Sequence, residues 1–253
     1  MRQTVILLGL LISLGSCKST LSISSIEAKN IQNETAFYSP DSSIILLVAP
    51  YKEKLEEDMS KTISLSSEEL TKAKPESKLT NLVADLLMEA GKSFSETKRK
   101  DAYPDAAFVN YGGLRTSLPK GKITVGNIFE LMPFENELVL LKLSGKTMNE
   151  FIEKVAERGG DGVSGMKLGI KDGQIAHLTI GGKQLDSNKD YWLVTNDYIA
   201  NGGDDMSMLA DRKELVQTGY KIRDLIIDRL KDQYQAGKGI DLQLDGRFYK
   251  IDD

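Results

Sequence analysis

Four short stretches of this sequence carry the side chains able to do chemistry. FVNYGGLR, residues 108–115, runs an apolar segment into the amide of Asn110, crosses Gly112 and Gly113, and delivers Arg115. Asn110 brings a donor and an acceptor, and Arg115 a planar, permanently charged fork that can grip one anionic group. The paired glycines let the backbone pass close to something bulky. LMPFEN sets Phe134 behind the stiff Pro133, and NDYIANGGDD sets Tyr198 ahead of Gly202, Gly203 and the carboxylate of Asp204. Thr218-Gly219-Tyr220 is expected to head the last helix. Loops of this kind could hold a small ligand, or could simply be turns. Taken singly, each residue has a structural alternative. Asn110 could only shape its turn, Arg115 could be a solvated charge, and Phe134 could be a core residue beside a proline turn. Tyr198 could close a strand end, and Asp204 could cap a short helix through DMSMLA.

Other chemistries are excluded by what the chain lacks. One histidine, His177, cannot supply the several imidazoles of a dinuclear phosphatase centre. In IAHLTI it alternates with Ile175 and Thr179, opposite Ala176, Leu178 and Ile180, which predicts the outer face of a hairpin and a bystander role. No GxSxG elbow or GxxxxGK[ST] loop occurs, and the 37 carboxylates single out no acid–base pair. The expectation is therefore a chain with no catalytic residue, no metal ligands and no cofactor of its own. A formal net charge of −4 leaves no surplus of cations for a nucleic acid polymer, although one arginine suffices for one phosphate.

Positioning those loops falls to a mixed set of elements. Ser77 is placed to cap a helix through KLTNLVADLLMEAGKSF, whose Leu79, Leu82, Val83, Leu86, Leu87 and Ala90 recur at helical spacing. AAFVN reads as a buried strand, VGNIFELM as a short helix and ELVLLKLS as a second strand, with Ser144 or Thr147 starting the helix through MNEFIEKVAE. MKLGI and IAHLTI flank Asp172-Gly173, a strong two-residue hairpin signal. WLVTND is a further strand, and TGYKIRDLIIDRLKDQY the final helix. Helices and hairpins mixed in this way predict an α+β fold, a mixed α/β sheet with packed helices and hairpins, rather than a doubly wound parallel sheet.

The N-terminus suggests a compartment. Met1-Arg2 followed by VILLGLLISLGSC has the basic start, apolar run and small residues of a secretory signal, too short to span a bilayer comfortably. Leu14-Gly15-Ser16-Cys17 resembles the lipobox of bacterial lipoproteins, and Cys17 is the only cysteine. The expected organisation is a lipoprotein signal peptide over residues 1–16, a tether over 17–43 and one domain over 44–250. The protein would be exported and lipid-anchored to a bacterial membrane through Cys17, at the periplasmic face or the cell surface.

The ordered set TNLVADLL, NYGGLR, ITVGNIFELMPFENELVLLKLSG, KDGQ, YWLVTNDYIANGGDD and TGY resembles the C-terminal, substrate-binding domain of the 5'-nucleotidase family, which includes UDP-sugar hydrolases and 2',3'-cyclic phosphodiesterases. The resemblance runs from about Ile44 to about Arg247. It implies that Phe134 and Tyr198 sandwich a nucleobase, a clamp indifferent to base identity because every base has a π face. It further implies that Asp204 accepts from ribose hydroxyls, Asn110 faces the base edge and Arg115 pairs with phosphate oxygens. Gly112, Gly113, Gly202 and Gly203 would let the backbone approach the ligand. One departure concerns an arginine that many relatives carry upstream of the TNL-like segment. Here the stretch reads KAKPESKLTNL, where Lys72, Lys74 or Lys78 would have to compensate without a bidentate fork. The larger departure is the N-terminal metallophosphatase domain of the family enzymes, for which the short polar segment before Ile44 leaves no room.

Three functions follow. The chain could present a nucleoside monophosphate to a separate metallophosphatase chain, which would hold the divalent metals. It could alone capture nucleosides or nucleotides at the membrane. It could be a structural lipoprotein that has lost the site.

Overall fold

Alternating apolar residues build the central sheet in the computed structural model, which describes residues 23–30 and 41–251. Strands β1 (Thr62–Ser66), β2 (Ala106–Val109), β3 (Gly121–Thr124), β4 (Glu137–Ser144) and β5 (Gly162–Ser164) are followed by β6 (Met166–Lys171), β7 (Gln174–Ile180) and β8 (Lys183–Gln184). The last three are β9 (Asp190–Asn196), β10 (Glu214–Lys221) and β11 (Phe248–Lys250). Five of them form a mixed sheet in the order β10-β4-β9-β2-β5, in which β2 and β9 are parallel and the other pairs antiparallel. A second sheet, β11-β6-β7-β8, and an antiparallel β1–β3 pair complete the strands.

The pleat sends successive side chains to opposite faces. Ala107, Val109, Leu138, Leu140, Trp192 and Val194 enter one core, and Ala106, Phe108, Val139, Leu141, Leu143, Tyr191 and Leu193 the other. Helices α2 (Lys78–Lys98), α3 (Val125–Leu131) and α6 (Ile222–Gln235) cover the first face. Helix α4 (Gly145–Glu157) and the second sheet cover the other, where Phe108 meets Phe151 edge to face with centroids 5.0 Å apart. Burial on both faces explains why these strands read as near-continuous apolar runs.

Local signals set the boundaries. Ser77 caps α2 in a capping box with Thr80, and Thr124 caps α3 with Asn127. Ser144 caps α4, its Oγ accepting from the Thr147 amide at 3.1 Å. Each such cap is worth about 1 kcal/mol. Asp172 and Gly173, at φ 52° and 76°, make the tight β6–β7 turn, and His177 is exposed on β7. The fold is therefore the mixed α+β arrangement expected from the sequence.

One expectation is corrected. Thr218-Gly219-Tyr220 does not begin the final helix but ends β10, and α6 starts at Ile222. Lys221 still pairs with Glu137 of β4, Thr218 Oγ1 donates to the Leu138 carbonyl at 2.7 Å, and Gly219 sits at φ 74°, outside the helical region. Tyr220 lies instead against Phe94 of α2, with ring centroids 6.3 Å apart.

The chain divides into residues 1–48 and 49–253. Helix α1 (Ser42–Met59) has no buried residue. Its apolar residues Ile44 to Val48 are consecutive, so no helical period announces it. The signal segment and Cys17 lie outside the described residues. Among the described residues no helix is long and apolar enough to cross a membrane.

Candidate functional site

Strand direction collects the candidate residues at one end of the five-stranded sheet. Parallel β2 and β9 both finish there, releasing Asn110 and the YGG turn from one and Asp197–Asp204 from the other. Antiparallel β4 begins there, with Leu138 opposite Asn196, so Pro133 to Asn136 lead into the sheet at the same end. Strand β5 begins there too, Gly162 opposite Val109, which brings in Asp161 and the end of α4.

The gap between these loops is an open cavity of about 300 Å³ lined by Asn110, Gly112, Gly113, Arg115, Phe134, Asn136, Tyr198 and Asp204. That size lies at the lower end of small-molecule sites. Phe134 and Tyr198 are each 48% exposed, so neither ring is a core residue, and both line the same cavity from different loops. Arg115 is exposed; its Nη1 donates to the Gly112 carbonyl at 3.1 Å, and its guanidinium lies 5.9 Å from the Phe134 ring centre.

Asp204 is the junction of the site. Its Oδ2 accepts from Asn110 Nδ2 at 2.8 Å and Arg158 Nη2 at 3.2 Å, and its Oδ1 accepts from the Tyr198 hydroxyl at 3.0 Å. Its backbone adopts φ 54°, the left-handed region that aspartate tolerates better than most residues. It caps no helix, since the turn Ser207–Asp211 has no side-chain cap. Asn110 is 4% exposed, and its Oδ1 accepts from Asn196 Nδ2 at 3.2 Å, so its amide spans the two strand ends as well as facing the cavity.

The glycines differ in role. Gly202, at φ 90°, turns the chain and does not line the cavity. A Cβ on Gly203 would fall 2.4 Å from the Tyr198 ring, and one on Gly113 would fall 2.8 Å from Asn110 Oδ1. A Cβ on Gly112 would meet nothing of the protein closer than 3.7 Å, so its missing side chain leaves room in the cavity.

Sequence reasoning missed Asn136, Arg158 and Asp161. Arg158 Nε donates to Asp161 Oδ2 at 3.0 Å, and its Nη1 to the Asp204 carbonyl at 3.2 Å. Asp161, 2% exposed, accepts from the Tyr111 amide at 2.6 Å and so fixes the YGG turn. Burial pushes the Asp161 carboxyl above its ordinary value, against the pull of Arg158, the Tyr111 amide and Lys74. A signal was available: Gly-Gly-Asp occurs at 159–161 as well as at 202–204.

None of the three lysines considered as substitutes for an upstream arginine lines the cavity. Lys72 Nζ donates to the carbonyls of Leu114 and Tyr111 at 2.6 and 3.1 Å, bracing the turn from behind. Burial, and the nearby Arg115 charge, push its ammonium below the ordinary value. Lys74 donates to the Arg158 carbonyl, and Lys78 pairs with Glu68 at 2.5 Å. Among the described residues no cluster of histidine, cysteine and carboxylate side chains is suited to a metal.

A mixed sheet covered on both faces, with an aromatic-lined cavity at its loop end, defines the class of α+β domain to which this chain belongs. The sequence pattern of the 5'-nucleotidase C-terminal domain matches residues 58–211, and the chain belongs to that family. It is 26% identical to a 5'-nucleotidase of Vibrio cholerae over 213 residues, 82% of this chain and 37% of the relative. It is 30% identical to protein UshA of Escherichia coli over 121 residues, 46% of this chain and 22% of the relative. The solved 5'-nucleotidase precursor of Thermus thermophilus superposes with a TM-score of 0.67 at 27% identity, covering 85% of this chain and 44% of that one. The chain thus spans about a third of the length of the first of these curated relatives.

Proposed function

We propose that this protein is the nucleotide-binding subunit of an exported, membrane-tethered nucleotide-degrading system. It would bind a nucleoside monophosphate and present it to a separate metallophosphatase chain. The observation that carries this reading is the pairing of two half-exposed aromatic rings, Phe134 and Tyr198, on one cavity with Arg115 and Asp204. A base between the rings gains stacking worth about 1–3 kcal/mol, Arg115 faces the phosphate, and Asp204 accepts from the sugar. The tether is the lipid on Cys17, and the divalent metals belong to the partner chain.

Calorimetry with AMP, UMP and adenosine tests the clamp: affinity should be similar for the two bases and should fall in Phe134→Ala. Equal affinity in wild type and variant removes the clamp. Mixing the protein with the metallophosphatase chain, AMP and a divalent metal tests the pathway. Phosphate release no faster than from the partner alone would refute it.

A second reading is capture without any partner, with nucleosides held nearly as well as nucleotides. It is favoured by the engagement of Lys72, Lys74 and Lys78 elsewhere, which leaves Arg115 as the one cation on the cavity wall among the described residues. Comparable affinities for adenosine and AMP would select it.

A further inference from the structure

Phe134 sits on a loop with little packing of its own, and a buried cation grips that loop on both sides of the ring. Arg223, the second residue of α6, is 8% exposed. Its guanidinium lies over the Phe129 ring, 4.0 Å from the centre. Its Nη1 donates to the carbonyls of Met132 and Pro133 at 3.5 and 3.4 Å, and its Nη2 pairs with the Glu135 carboxylate. The residues before and after Phe134 are thus tied to one planar group, while the ring itself stays half exposed over the cavity. Lys221 adds a bond from its ammonium to the Glu135 carbonyl at 3.1 Å.

The stack on Phe129 and the bonds to the carbonyls that end α3 favour a cation here, but they are set against real costs. A buried guanidinium carries a large desolvation cost, and a positive charge in the first turn of a helix opposes the helix dipole. Among the described residues its buried Nε has no hydrogen-bond partner, so the group is not fully hydrogen-bonded. An apolar residue could fill the space over Phe129, but it could not bond two carbonyls and a carboxylate in one plane. Glu135 feels the contact: the Arg223 guanidinium holds its carboxyl below the ordinary glutamate value.

We infer that Arg223 is a positioning residue, which fixes the loop 132–135 and thereby presents the Phe134 ring to the cavity. This rests on the ligand reading of the cavity given above, and deepens it: α6, which contributes nothing to the cavity wall, would govern stacking on the base while leaving the sugar and phosphate contacts untouched.

Two measurements separate this from a general structural role. The first is NMR titration of AMP and of ribose 5-phosphate against wild type, Arg223→Met, Glu135→Gln and Phe134→Ala. In Arg223→Met the preference for AMP over ribose 5-phosphate should fall by about tenfold, the size of a lost stacking face, with ribose 5-phosphate affinity unchanged. Phe134→Ala in the same background should add nothing further. Glu135→Gln, which removes the charge that Arg223 pairs with but leaves the buried guanidinium in place, should weaken AMP in the same direction and keeps the test usable if Arg223→Met folds poorly. The second is the fluorine signal of Phe134 carrying a 4-fluoro label, without ligand; it should shift and narrow in both variants as the loop loosens. Parallel weakening of both ligands, or a fluorine signal unchanged in both variants, overturns the assignment. If wild type shows no preference for AMP, the ligand reading falls instead, and the fluorine signal alone decides the role of Arg223.

Discussion

Replacing Gly203 by alanine should disarm one wall of the cavity without unfolding the protein. The new Cβ would lie 2.4–2.6 Å from three atoms of the Tyr198 ring, far inside van der Waals contact. Gly203 is not among the residues at positive φ, so alanine suits the backbone there and the conflict falls on the ring. Tyr198 is 48% exposed, so the ring can swing into solvent at small cost. That swing breaks the hydroxyl bond to Asp204, about 0.5–1.5 kcal/mol, and removes a stacking face worth about 1–3 kcal/mol. Affinity for AMP should therefore drop by about 5- to 150-fold by calorimetry, at 1.4 kcal/mol per tenfold. The melting temperature should move by only a few degrees. Tyr198→Ala should cost about the same, and the double variant no more than either alone. Wild-type affinity in Gly203→Ala, or additive losses in the double variant, would refute the reasoning.

Arg115→Ala should reduce AMP affinity by about ten- to a hundredfold, the value of a charge-assisted bond, and leave adenosine unchanged in the same calorimeter. Arg158→Met leaves Asp161 buried without its cation, and urea unfolding should show a loss of about 3 kcal/mol at pH 7, the low end for broken buried pairs because Arg158 is a quarter exposed. Asp161 already has a raised pKa in the folded state, so it contributes least stability once pH exceeds that value. Losing Arg158 raises the pKa further, so the deficit should shrink as pH falls toward the ordinary aspartate range; a deficit independent of pH would contradict this. Cys17→Ser should move the protein from the membrane to the soluble fraction and abolish incorporation of labelled fatty acid.

Fold class was readable because the strands of the central sheet are apolar on both faces and the capping residues are local. Ser77 and Ser144 each act within three residues, which a single sequence exposes directly, whereas the Thr124 cap of α3 was not singled out. Strand ends were harder. The pairing of Lys221 with Glu137 and the bond from Thr218 to Leu138 are long-range facts, and they moved Thr218-Gly219-Tyr220 from helix to sheet. The β1–β3 pair is short, irregular at Thr62/Ser64 and joined across almost sixty residues, so no local pattern marks it. The cavity residues were legible where glycine and aromatic cluster in one loop. Arg158, Asp161 and Arg223 act through side chains that reach other loops from helix ends, where a charged residue ordinarily means a solvated surface.

The crowding around Asp204 limits what it can read. A carboxylate offers about four acceptor directions. Among the described residues, Asn110 and Arg158 occupy both on one oxygen and Tyr198 takes one on the other, which leaves one direction open. A sugar with two adjacent hydroxyls can then satisfy only one of them at this oxygen. On the proposed nucleotide reading, the site would then discriminate poorly between ribose and deoxyribose compounds, so AMP and its 2'-deoxy analogue should bind with similar affinity.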